Sequence, residues 1–193
     1  VGVVLISTIF FATAGIQNWR ILAIIWAVIP LANAIVFTKV PIAPLMEEGE
    51  TGLSLKELFG IKAFWILLIM MISAGASEQA VSQWASTLAE KGLGITKAAG
   101  DLAGPMAFAI LMGSSRAFYG KYGEQISLDK FMSLSCILCI VSYLGIALVP
   151  VAQINLICCA LCGLSVGIMW PGTFSKASAS LPRGGTAMFA MLA

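Results

Sequence analysis

"IKAFWILLIMMISAGASEQAVSQWAS", residues 61–86, decides how the chain is read. Lys62 and Glu78 are its charged residues, and no strand-like alternation of apolar and polar positions runs through it. A transmembrane helix needs roughly 20 mostly apolar residues, and this stretch supplies them. The same pattern recurs outward in both directions. Residues 1–15 end one apolar run, closed by the polar "QNWR" at 17–20, and residues 21–38 form a second with Pro30 inside it, as membrane helices tolerate. Further runs cover about 99–119, 131–149 and 154–172, and another opens near 185. The expectation is about five whole spans and two partial ones. The absence of strand alternation argues against a β-barrel.

Composition agrees. The 193 residues are 60% hydrophobic and 10% charged, with a mean hydropathy of +0.98. A soluble domain carries about a quarter charged residues to face water, so lipid is the expected solvent. A net charge of +2 is too balanced to suggest nucleic acid, and the absence of histidine removes the usual metal ligand and neutral-pH base. Cys136, Cys139, Cys158, Cys159 and Cys162 all lie in apolar runs. Two pairs have C-x-x-C spacing, but a metal site needs deprotonated thiols and a polar second shell. They read as small inert hydrophobes. No cofactor or metal is expected.

The stretch "KVPIAPLMEEGETGLSLKE", 39–57, is the convincing linker, and "SLKE" at 54–57 fits a capping box opening an interfacial helix. With that linker cytoplasmic, its side holds Lys39, Lys56, Lys62, Arg116, Lys121, Lys130, Lys176 and Arg183, against Arg20, Lys91 and Lys97 opposite. The excess of basic residues orients the linker to the cytoplasm. Both ends of the sequence fall inside apolar runs, so it is expected to be a fragment.

Polar residues within the spans mark candidate sites, because a stranded charge normally faces a partner or a watery cavity. Counted from residue 61, Glu78 lies about 17 residues in, roughly 25 Å along the axis, and is expected toward the outer side of the bilayer. Gly75, Gln79, Ser82, Gln83 and Ser86 form one helical stripe with Glu78 at its edge. Two readings are open: a cavity wall, or an interfacial helix end with Trp84 in the aromatic belt. In "GLSVGIMWPGTFSKAS", 163–178, Gly163 and Gly167 permit close helix approach. Pro171 and Gly172 should bend or break the helix beside Trp170, either at a binding hinge or simply at a helix end. Gly100 and Gly104 read as a packing face. Asp101 suits the start of its helix. Arg116 either pairs with a neighbouring acid or reaches toward lipid phosphates.

These features resemble the major facilitator superfamily, secondary transporters of twelve helices in two six-helix bundles. Two spans, an amphipathic cytoplasmic linker and a further run of spans match the region around the family's central loop. "GSSRAFYGKYGEQIS", 113–127, stands where the family's G-x-L-a-D-R-x-G loop recurs. Gly120 matches the first glycine and Glu124 takes the Asp place, while Gln125 and Ser127 depart from the pattern. "GIMWPGTFSKAS", 167–178, is similar to the end of helix ten in the sugar–proton symporter branch that includes the fucose permeases.

The resemblance implies an all-α polytopic membrane bundle, incomplete, with about helices five to eleven of twelve. Residues 1–38 would close the first bundle, 39–60 would be the cytoplasmic linker and 61–193 a truncated second bundle. It further implies a multi-pass protein of the plasma membrane that moves a small polar solute, a sugar coupled to protons, by alternating access. Its partners would be that solute, protons, the bilayer and the remainder of the first bundle. Glu78, Gln79, Gln83, Trp84 and Trp170 would bind solute or carry the proton. Arg116, Gly120, Glu124, Gly163, Gly167 and Pro171 would serve structure or gating. The alternative is a transporter-like sensor or scaffold that binds solute without moving it; an enzyme is not expected.

Overall fold

In the computed structural model, the described residues are 2–41, 52–92, 94, 96, 100 and 102–193. The expectations for Asp101, Lys97 and most of the linker (42–51) lie outside the described residues. The chain divides into two compact units, residues 1–47 and 48–193, and the division falls inside the expected linker. Among the described residues every regular element is helical.

The first unit is a helix pair, α1 (Gly2–Ala14) and α2 (Trp19–Phe37). Gly15 turns the chain between them at φ +79°, a left-handed conformation that glycine adopts at little cost. The Trp26 indole N–H donates to Ser7 Oγ at 3.3 Å, tying the two helices. Along α2, Leu22 is buried, whereas Ile21, Ile24, Ile25, Val28 and Ile29 are exposed. An apolar surface of this kind suits lipid.

The second unit begins with α3 (Leu55–Gly60). Its capping box forms as the sequence predicts: Ser54 N–H donates to Glu57 Oε2 at 2.7 Å, and Glu57 N–H donates to Ser54 Oγ at 3.4 Å. Leu58 is fully buried and anchors this short helix. Then come α4 (Lys62–Thr87), α5 (Ala107–Tyr122), α6 (Leu128–Leu148), α7 (Ala152–Val166), α8 (Met169–Ser180) and α9 (Gly185–Leu192). A π turn at Leu88–Gly92 prolongs α4, and another at Leu102–Met106 leads into α5.

Four segments among the described residues are long and apolar enough to cross a membrane: Trp19–Phe37, Lys62–Gly92, Leu128–Leu148 and Ala152–Ser180. The expected span at 99–119 is shorter as regular helix, because its first turn is π rather than α.

Burial along α6 is inside-out relative to a soluble protein. On α6 the buried residues are Met132, Ser135, Cys139 and Ser142, while Leu134, Ile137, Ile140, Val141 and Leu144 point outward. Small residues inside let helices approach without a hydrophobic drive between them. The five cysteines are free, and Cys139, Cys159 and Cys162 pack in one core cluster with Ala74, Val81, Ala85 and Phe108. A second cluster joins Leu58, Phe64, Leu67 and Met71 to Ala177, Met188 and Leu192.

The glycine faces pack as expected. A Cβ at Gly100 would stand 3.0 Å from Ala89 Cβ, and one at Gly104 would stand 3.1 Å from Ala85 Cβ. Gly163 lies against the backbone of Phe108, and a Cβ at Gly167 would meet Met112 O at 2.7 Å. The long helix spanning 152–180 is interrupted at Gly167 and Ile168, one turn before Pro171.

Candidate functional site

The buried residues of α4 are Phe64, Leu67, Met71, Ala74, Val81 and Ala85. They alternate in steps of three and four, with one gap where position 78 continues the series. Glu78 therefore stands in the seam that α4 turns toward its neighbours, at the edge of the stripe that holds Gly75 and Gln79. The helical segment runs from Lys62 to Gly92, which places Glu78 close to its midpoint. α4 reaches further than the sequence suggests: the polar turn after Trp84 reads as a helix end, but the chain continues through it as a π turn.

The partner of Glu78 comes from α5. Arg116 Nη2 lies 3.6 Å from Glu78 Oε2, with the side chains 43% and 29% exposed. Arg116 thus pairs with an acid, the first of its two sequence readings. Its Nε donates to the Gly167 carbonyl at 2.9 Å. That carbonyl is available for a local reason. In a helix it would accept the N–H four residues on, at position 171, and Pro171 has none. One guanidinium therefore meets a carboxylate from α4 and a freed carbonyl at the α7–α8 break.

Gly75, Glu78, Gln79, Arg116 and Trp170 line a cavity of about 350 Å³. Trp170 occupies the first turn of α8, is 39% exposed and packs edge-on to Phe174 with ring centroids 4.6 Å apart. Gln79 Oε1 accepts from Gln83 Nε2 at 3.3 Å, so Gln83 reaches the cavity through Gln79 and does not line it. The cavity offers a carboxylate, a guanidinium, an amide and an indole, a set that can donate to and accept from hydroxyls and cover an apolar ring face.

The structure does not bring Trp84 to this cavity. Six residues from Glu78, it points about 120° away around the helix. It lines an apolar crevice with Val81, Ala85, Leu88, Tyr143 and Ile146, and is 67% exposed. On α6 beside that crevice, the Tyr143 hydroxyl donates to the Ser77 carbonyl at 2.8 Å, joining α6 to α4.

Of the other positions singled out, Gly163 and Gly167 sit at the α5–α7 contact, whereas a Cβ at Gly120 would meet nothing within 4 Å. Glu124 is exposed in the turn after α5. An ion pair near this end of the bundle joins Lys176 of α8 to Asp129 of α6. In sequence Lys176 bears only on orientation, and Asp129 is not among the candidate positions. A signal was present, since Asp129 lies in the first turn of its helix, where a carboxylate is favoured. Among the described residues no group of three or more His, Cys, Asp or Glu side chains is placed to hold a metal ion.

A family model described as Major Facilitator Superfamily matches residues 1–193. No curated protein and no solved structure matches the chain.

Proposed function

Because this chain belongs to the Major Facilitator Superfamily and is a multi-pass membrane transporter protein, we propose that it carries a small, hydroxyl-rich polar solute of sugar type by alternating access. The observation that supports this reading is the cavity joining Glu78, Arg116, Gln79 and Trp170. A carboxylate accepts from neighbouring hydroxyls while a guanidinium donates to their oxygens in a fixed fork. The Trp170 ring supplies a flat apolar surface for the C–H face of a pyranose.

Glu78 is also the proposed proton carrier. Arg116 is the charged group paired with it. A proton taken by the carboxylate cancels that attraction, so protonation and solute contacts compete for one side chain. In this reading α1 and α2 belong to a first bundle and the helices from α4 onward to a second. The two rock about a site near mid-membrane, in the plasma membrane with the linker cytoplasmic.

The test is uptake of labelled hexoses and pentoses by the full-length protein in proteoliposomes, with and without an inward proton gradient. At least one sugar should accumulate with the gradient. Glu78→Gln should remove the gradient response, and Gln79→Ala should weaken uptake. If no sugar in the panel enters, or if both variants transport like the parent, the reading fails. Binding without counterflow would instead mark a sensor.

A further inference from the structure

Gly163, Gly167 and Pro171 recur every four residues and so lie along one face. Each contributes something different. The two glycines allow contact with α5: a Cβ at Gly167 would stand 2.7 Å from Met112 O and 2.8 Å from Ser115 Cβ. Pro171 frees the Gly167 carbonyl, because the ring nitrogen carries no hydrogen. Arg116, next in sequence to Ser115, reaches that oxygen with Nε at 2.9 Å.

We propose that Arg116 is a positioning residue that replaces the backbone N–H missing at Pro171, so that the α7–α8 bend is held from α5 by the same guanidinium that faces Glu78. An orphaned carbonyl in a membrane interior is costly, and the donor that satisfies this one comes from another helix. The guanidinium is planar and rigid. Nε at the bend and Nη2 near Glu78 cannot shift independently, so whatever displaces Glu78 from Nη2 also disturbs the bend. The 3.6 Å separation from Glu78 exceeds that of a tight charged hydrogen bond, whereas the contact at the bend is short. The bend is the firmer attachment, and Glu78 is the side that yields. The importance of this device for transport rests on the function proposed above, but its test uses no solute.

The experiment is a double-mutant cycle on the full-length protein in detergent. Arg116→Met removes every donor, and Pro171→Ala restores an N–H that can bond Gly167 within the helix. Arg116→Met alone should lower the melting temperature by roughly 3–8 °C, the scale of one unsatisfied buried group. Made together with Pro171→Ala, it should cost less than half as much. Spin labels at positions 154 and 180, on opposite sides of the bend in a cysteine-free background, should show a broadened distance distribution in Arg116→Met that narrows again with Pro171→Ala. If Arg116→Met does not fold, Arg116→Lys takes its place, since an ammonium can face Glu78 but lacks the fork that also reaches Gly167. The same broadening and the same rescue are then expected. Equal costs in the two backgrounds, or label distances unchanged by loss of the guanidinium, would overturn the proposal.

Discussion

Pro30 and Pro171 both lie in helices long and apolar enough to cross a membrane, and they have different effects. α2 passes through Pro30 as one uninterrupted helix, Trp19–Phe37, whereas the 152–180 helix gives way at Gly167 and Ile168, one turn ahead of Pro171. Each proline withdraws the N–H that the carbonyl four residues earlier would have used. At Pro30 that carbonyl belongs to Trp26, and no side-chain donor among the described residues reaches it. At Pro171 it belongs to Gly167, which lies against α5 and receives Arg116. Proline alone does not break a membrane helix here. The interruption occurs where a glycine and a donor from a neighbouring helix meet the freed carbonyl.

The sharpest way to probe that contrast is to remove the donor's counter-charge. Glu78→Ala leaves Arg116 without its counter-charge within the helical bundle, a situation worth about 2–3 kcal/mol, or on the order of a hundredfold in an equilibrium. Initial uptake rates in proteoliposomes should fall by that order. Uptake at the parental rate would mean that Gly167 alone suffices to hold Arg116.

A somewhat smaller effect is expected at the contact itself. Gly167→Ala should destabilise the protein by about 1–3 kcal/mol through overpacking against α5, read as a lower melting temperature. Gly120→Ala, where a Cβ finds open space, should instead gain roughly 0.5–1 kcal/mol from reduced backbone freedom in the unfolded chain. Equal losses at both glycines would show that close approach to α5 is not what distinguishes the bend.

The comparison extends to a helix end whose cap can titrate. Hydrogen bonds from Ser54 hold the Glu57 carboxyl below the usual carboxylate range. Its contribution to α3 is therefore present above the unfolded pKa and is lost as the pH falls through the lower, folded one. Amide exchange in α3 should accelerate on acidification through that window. The Arg116–Gly167 contact should persist there, since a guanidinium does not titrate. The smallest expected effect is at Pro30→Ala, which should leave uptake within about twofold of the parent; a larger change would mean that α2 also depends on its proline.

Much of this arrangement can be read from the residues. Uninterrupted apolar runs locate the spans because a bilayer demands length more than pattern. "SLKE" predicts the α3 cap because both partners lie within one turn. Gly167 and Pro171 predict an interruption because their backbone chemistry is local. Three features could not be read in this way. The continuation of α4 past Trp84 is one, because "TLAEKG", 87–92, reads as a polar turn, while in the structure it continues the helix as a π turn. Trp84 is next to Gln83 in sequence but faces elsewhere on the helix, lining a different crevice. The Glu78–Arg116–Gly167 connection joins three helices, and no spacing within one of them encodes it.

The contact of Gly163 with the backbone of Phe108 has a further consequence. Two main chains touching at that point leave no gap for even a single water, which needs about one probe sphere of space. The joint between α5 and α7 at Gly163 is therefore dry. Any wet route past these two helices must skirt it.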